Sequence, residues 1–331
     1  MELQLVILLN LGIFSVGLVA LYLGAKWLVT GATSLALGLG IRPLLVGITI
    51  VALATSMPEF VVNLMAAVTG EDGLALGNII GSNISNIGLI LGVSAVVIPL
   101  GVAPSILRKE FPIMLGVMIL FYALSYDGLI SKIDGALLTT GLVAFISFLI
   151  IDNRRQEKKK APVVKEDVED DVKDDQLTST KSRVLYLLAG MIGLSLGARI
   201  MVYAAVNIAE SLSISDVVIG LTVVAIGTSL PELAASLACA LNKQADMSVG
   251  NVLGSNLLNV LFVVGLVSLI RPLQVDAETI SLHFPVMLAF SFLLLPIAWF
   301  GHKINRFSGA LLILAFIGYI GYLIFLESTG A

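Results

Sequence analysis

The chain has 331 residues, 58% of them apolar and only 13% charged, with a mean hydropathy of +1.02. Ordinary soluble domains carry about 25% charged residues, so this composition excludes a soluble core and points to an all-α polytopic membrane protein. The net charge of −4 is segregated along the chain, and most Lys and Arg lie in short inter-helix segments, which leaves no basic patch for nucleic acid.

A bilayer crossing needs about 20 mostly apolar residues. Ten such runs are predicted, at roughly 5–30, 43–69, 74–98, 110–126, 131–151, 183–209, 216–241, 247–270, 279–300 and 304–326. The first has neither a basic n-region nor a small-residue cleavage pattern, so it reads as a retained helix. Between the fifth and sixth runs lies the one strongly polar segment, 152–182, with RRQEKKK followed by EDVEDDVKDD. It cannot bury enough apolar surface to fold alone and reads as a flexible linker. As a calcium sensor it lacks the loop glycine and ligand spacing of an EF-hand. The chain thus divides into 1–151, the linker 152–182, and 183–331. Cys239 is the only cysteine, so no intrachain disulfide is available, and its simplest role is packing.

Placing the N-terminus outside puts 15 Lys and Arg in cytoplasmic segments against two, Lys132 and Arg271, outside. The positive-inside rule then gives a multi-pass cell-membrane protein with a cytoplasmic linker and both termini extracellular. Lys26 and Arg199 fall inside spans and read as snorkelling. Asp127, Asp134, Glu210, Asp216, Asp276 and Glu278 sit near span ends and read as solvated. His283 and His302 lie at span edges and read as bystanders.

The two halves repeat one another at a constant offset of 173 positions. GITIVALATSMPEF, from Gly47, matches GLTVVAIGTSLPEL, from Gly220, and GNIIGSNISN matches GNVLGSNLLN. Gly24-Ala25-Lys26 matches Gly197-Ala198-Arg199 in the same register. Each half holds five spans, an odd number, so the halves are expected to be inverted about an axis in the membrane plane. Glu59 and Glu232 occupy matching positions deep in apolar spans, where a carboxylate marks a functional site by default. Pro58 and Pro231 precede them, so both spans are expected to break near the midplane and to free carbonyls near Ala52 and Ala225. Thr55, Ser56, Thr228 and Ser229 add hydroxyls one turn away. On the third and eighth spans, Asn78, Ser82 and Asn86, and again Asn251, Ser255 and Asn259, recur every four residues along one helix face. Asn83 and Asn256 point elsewhere and read as interhelical hydrogen-bonding groups beside Gly81 and Gly254. An all-oxygen donor set without His or thiolate suits hard cations.

These motifs resemble the alpha repeats of the cation/calcium antiporter superfamily, sodium/calcium exchanger type. The resemblance covers both halves. The cation/proton branch typically carries a GNxxE type of motif where this chain has TSxPE. The resemblance implies a central group of spans two, three, seven and eight, with spans one and six as slanted gating helices. It implies calcium ligands at Glu59 and Glu232, aided by the carbonyls of Thr55 and Thr228. It implies sodium ligands among Ala52, Ser56, Ser82, Asn86, Ala225, Ser229 and Ser255. Many sodium/calcium exchangers have Asp at the position of Asn259, so the cluster here has two formal negative charges rather than three. The implied activity is calcium/sodium antiport by alternating access, with calcium/proton antiport as the alternative. Calcium, sodium and the lipid bilayer are the expected partners, with no resident cofactor and no evident obligate protein partner. An intramembrane hydrolase could use two carboxylates as acid and base, but no nucleophile–His pair accompanies them, and the chain is read as no enzyme. Inverted repeats with a midplane site argue against a passive channel.

Overall fold

The computed structural model describes residues 2–159, 177, 179–212 and 225–329. They form an all-helical array whose main elements are α1 (Glu2–Leu39), α2 (Pro43–Thr69), α3 (Asp72–Val97), α4 (Glu110–Ser125), α5 (Lys132–Lys159), α6 (Thr180–Ser211), α7 (Ala225–Thr228 and Leu230–Leu241), α8 (Ala245–Ile270), α9 (Thr279–Trp299) and α10 (Arg306–Thr329). All but α4 and the described part of α7 are long and apolar enough to cross a bilayer. The predicted stretch 216–224, with Gly220–Val224 of the second motif, and the core of the linker lie outside the described residues. The fifth helix continues through Asp152 to Lys159, into the segment that composition assigns to the linker.

Burial sorts the helices into layers. α3 and α8 are the most buried spans, whereas α1, α5, α6, α9 and α10 turn long apolar faces outward, as lipid-facing helices must. Proline at the first position of α2 fits a helix start, and Gly70 at φ 92° ends that helix in a left-handed cap. α1 and α6 lie against each other along a glycine seam. A Cβ added at Gly24 would lie 2.5 Å from the Leu194 nitrogen, and one added at Gly197 would lie 2.5 Å from the Leu21 nitrogen. Both pairs keep the offset of 173, so each half supplies the same glycine to the same contact.

Two short antiparallel strand pairs tie the halves together outside the helices. β1 (Leu100–Gly101) pairs with β4 (Lys303–Ile304), and β2 (Leu129–Ile130) pairs with β3 (Leu273–Gln274). Each pair joins a loop of one half to a loop of the other.

Helix geometry departs from the sequence expectation at Pro58. The span does not unwind there: Pro58 sits inside a continuous α-helix, and the irregular turn is a π segment upstream, Gly47–Val51. The buried neighbours Thr55, Ser56 and Glu59 hold the turn in place, and the Thr55 hydroxyl donates to the Ala52 carbonyl at 3.2 Å. A break does occur in the second half, where Ser229 (φ −90°, ψ 1°) separates the two pieces of α7 just before Pro231. Matching π segments open at Asn86 and Asn259.

The buried charges also exceed the two that the sequence singles out. Glu110 is 0% exposed, with Arg42 at 3.7 Å, and Lys109 pairs with Asp152 beside them. Asp72 is buried as well, with Arg271 at 3.6 Å and the Gln274 amide at 3.1 Å. The glycine seam gives a direct stability test. Gly197→Val should cost about 1–3 kcal/mol through overpacking, read as a lowered unfolding temperature in detergent. Gly12→Ala, where an added Cβ meets nothing within 4 Å, should not lower it.

Candidate cation site

Glu59 on α2 and Glu232 on α7 meet at the centre of the molecule, 1% and 2% exposed, and lie close enough to interact directly. Ser56 donates to Glu232 Oε1 at 3.3 Å. The second oxygen of each carboxyl, Glu59 Oε2 and Glu232 Oε2, is buried with no hydrogen-bond partner.

The surrounding groups come in pairs related by the offset of 173. Thr55 Oγ1 lies 3.5 Å from Asn251 Oδ1, and Thr228 Oγ1 lies 3.5 Å from Asn78 Oδ1. Asn86 Nδ2 donates to Asn256 Oδ1 at 2.9 Å, and Asn259 Nδ2 donates to Asn83 Oδ1 at 3.2 Å. Behind them, Asn83 Nδ2 faces Met287 Sδ at 3.7 Å and Asn256 Nδ2 faces Met114 Sδ at 3.9 Å. Asn83 and Asn256 therefore bond between helices, as their position on the helix predicts.

These bonds have a chemical consequence. They use the donor ends of Asn86 and Asn259 and leave Asn86 Oδ1 and Asn259 Oδ1 buried without partners. Ser82 Oγ, Ser255 Oγ and Ser229 Oγ are likewise buried and unsatisfied. A buried polar oxygen without a partner is costly, and here seven of them belong to residues nominated as ligands. All can accept, and an all-oxygen set of acceptors around two carboxylates is the donor set that a hard cation takes. No group of three or more His, Cys, Asp or Glu forms a resident metal centre among the described residues. The Ala52 carbonyl already accepts from Thr55, and Ala225 opens the described part of α7.

The nominated residues are thus drawn from α2, α3, α7 and α8. Sequence reasoning missed Asn63 and Ser236, which lie one turn beyond Glu59 and Glu232. Asn63 Nδ2 donates to the Glu59 carbonyl at 2.7 Å, and Ser236 Oγ accepts from Asn251 Nδ2 at 2.8 Å. Their i+4 spacing from each Glu was the available signal. His283 is held by Tyr319, with Nδ1 to the hydroxyl at 2.8 Å, away from this cluster. Lys26 and Arg199 are exposed, in keeping with snorkelling. A groove of about 640 Å³ between α2, α6 and α7 is lined by Pro58, Pro231, Thr228 and Arg199.

The geometry has close counterparts. Residues 9–151 and 182–325 match the sodium/calcium exchanger protein family. Inner membrane protein YrbG of Escherichia coli is 35% identical, with 97% of this chain and 98% of that protein covered. The sodium/calcium exchanger MaX1 of Methanosarcina acetivorans is 29% identical over 97% of this chain and all of its own length. Among solved structures, the sodium-calcium exchanger NCX_Mj soaked with zero Na+ and Ca2+ superposes with a TM-score of 0.80. It shares 32% identity, with 96% of this chain and 99% of that one covered. A chain with this helical array, this doubled motif and matches across both halves is an integral, multi-pass membrane protein and belongs to the sodium/calcium exchanger family, whose members are transporters and not enzymes.

Proposed function

We propose that this protein is a secondary active antiporter that exchanges calcium for sodium by alternating access. Its ten transmembrane helices form two five-helix repeats, inverted about an axis in the membrane plane. One observation carries the reading: unsatisfied buried oxygens surround two central carboxylates, and most of them occur in pairs at an offset of 173. Two buried carboxylates ringed by neutral acceptor oxygens attract a cation and can coordinate it on several sides. The exchange of strands between halves, β1 with β4 and β2 with β3, supports the inverted arrangement. Positive charge supports outward-facing termini.

Calcium and sodium compete for the one cluster. Two carboxylates balance one calcium ion or two sodium ions, and further sodium must rely on Ser82, Ser255, Asn86, Ser229 and carbonyl oxygens. An empty site leaves two carboxylates buried side by side, at a cost of several kcal/mol per uncompensated ion. That cost keeps the empty carrier from switching sides and enforces exchange over leak. Asn259 gives the cluster two formal charges and makes the proton the rival counter-ion.

The test is calcium-45 uptake into vesicles under an imposed sodium or proton gradient. Uptake should follow the sodium gradient; uptake driven by the proton gradient alone would replace sodium with protons as the counter-ion. Glu59→Gln and Glu232→Gln should each reduce exchange to background while the protein remains folded. Robust sodium-driven exchange in the double variant would overturn the proposal. Asn259→Asp should shift the sodium or pH dependence of uptake and leave calcium transport in place.

A further inference from the structure

The two halves of the cation site are chemically paired, yet they are not in the same state. On one side of the cluster, Asn251 Nδ2 on α8 donates to Ser236 Oγ on α7 at 2.8 Å. The matching residues on the other side are Asn78 on α3 and Asn63 on α2, at the offset of 173. They carry the same complementary groups, an amide donor and an oxygen acceptor. Here the bond is not made: Asn78 Nδ2 and Asn63 Oδ1 are each buried without a hydrogen-bond partner. Asn63 is itself 1% exposed, so water does not freely compensate it.

Exposure follows the same division. Asn251 is fully buried, whereas Asn78 is partly exposed. Gly250 is buried, whereas its counterpart Gly77 is exposed. Gly254 is pressed so closely against α2 that an added Cβ would lie 2.3 Å from the Ile48 carbonyl. Among the described residues, the side with the hydrogen bond is the more buried and the side without it the more exposed.

The geometry points to Ser236–Asn251 and Asn63–Asn78 as reciprocal latches of alternating access, one made on the sealed side while the other stands broken on the side that admits ions. Each latch sits one helical turn beyond a carboxylate. Asn63 and Asn251 also donate to the backbone carbonyls of Glu59 (2.7 Å) and Glu232 (3.4 Å), which ties latch position to ligand position. In the opposite conformer Asn78 Nδ2 reaches Asn63 Oδ1, and Asn251 releases Ser236. These four are positioning residues. They set which side opens, and the carboxylates bind the ion.

The inference rests on the exchange reading, and its test is chosen to separate the two. A Gly77→Cys reporter is placed in a Cys239→Ser background, and its labelling by a membrane-impermeant maleimide is timed in detergent. Ser236→Ala weakens the present conformer and should slow labelling. Asn63→Ala weakens the opposite conformer and should keep labelling as fast as in the parent or faster, several-fold above Ser236→Ala. Ser236→Thr, which keeps the hydroxyl, should restore the parent rate. Should Ser236→Ala not assemble, Asn251→Ala breaks the same bond from its other end, and slowed labelling is again expected. A purely structural role would move Ser236→Ala and Asn63→Ala in the same direction, and equal rates in the two would overturn the latches. Sodium-driven calcium uptake is measured alongside. Uptake without the opposed shift overturns the latches alone, whereas no uptake under any gradient overturns the exchange reading on which they stand.

Discussion

A carboxylate removed from water costs several kcal/mol unless something compensates it, and this chain buries two, Glu59 and Glu232, next to each other. Among the described residues, no basic side chain neutralises them. The half-buried Arg42 is committed elsewhere, to Glu110, and Arg271 is committed to Asp72. The groups that do approach are a serine hydroxyl and a set of neutral oxygens. The rest of the architecture follows from keeping those oxygens in place without satisfying them.

The crossed amide bonds achieve this. Asn86 to Asn256 and Asn259 to Asn83 each run between α3 of one half and α8 of the other. Each bond consumes a donor and orients the remaining acceptor of Asn86 or Asn259. The methionine sulfurs behind Asn83 and Asn256 are weak acceptors on flexible side chains, which lets the amides sit where the cross-bonds require. The π segments starting at Asn86 and Asn259 add one residue to a helical turn at the point where these side chains must project. Wide turns of this kind are frequent at functional sites. The cross-bonds join the halves, so they also limit how α3 and α8 move against each other.

Much of this was legible in the sequence. Apolar runs located most of the described helix ends to within a few residues, though α1 and α5 run eight or nine residues further than predicted, and the offset of 173 placed Glu59 with Glu232 and Asn86 with Asn259. Three features were not legible, each because tertiary contacts decide it. α1 extends to Leu39, although 31–39 is rich in small residues, because α6 packs against it there: a Cβ at Gly31 would lie 2.9 Å from the Leu187 nitrogen. Pro58 remains helical because neighbouring helices hold its turn, which intrinsic propensity cannot report. Glu110 lies beside Lys109 at a span end, where the sequence carries no sign of burial. It is fully buried because Arg42, 68 positions earlier, folds over it.

The neutral residue at 259 also has a structural side. Asn259 Nδ2 is the donor to Asn83 Oδ1. A carboxylate in its place would set acceptor against acceptor, a repulsive contact in a buried setting. Relief requires a proton on that carboxylate or a turn of the Asn83 amide that presents Nδ2 to it. The turn would move Asn83 Nδ2 away from Met287 and would present its oxygen to the sulfur instead. The amide at 259 is therefore matched to the amide at 83 and to the methionines behind it. Charge at this position is coupled to the hydrogen-bond scaffold as well as to the ion. A third negative charge would alter the neutralisation of the cluster and the bond that positions its carbonyl ligand together. On the proposed exchange reading, position 259 would therefore act on the choice of counter-ion, with the calcium charge balance left to Glu59 and Glu232.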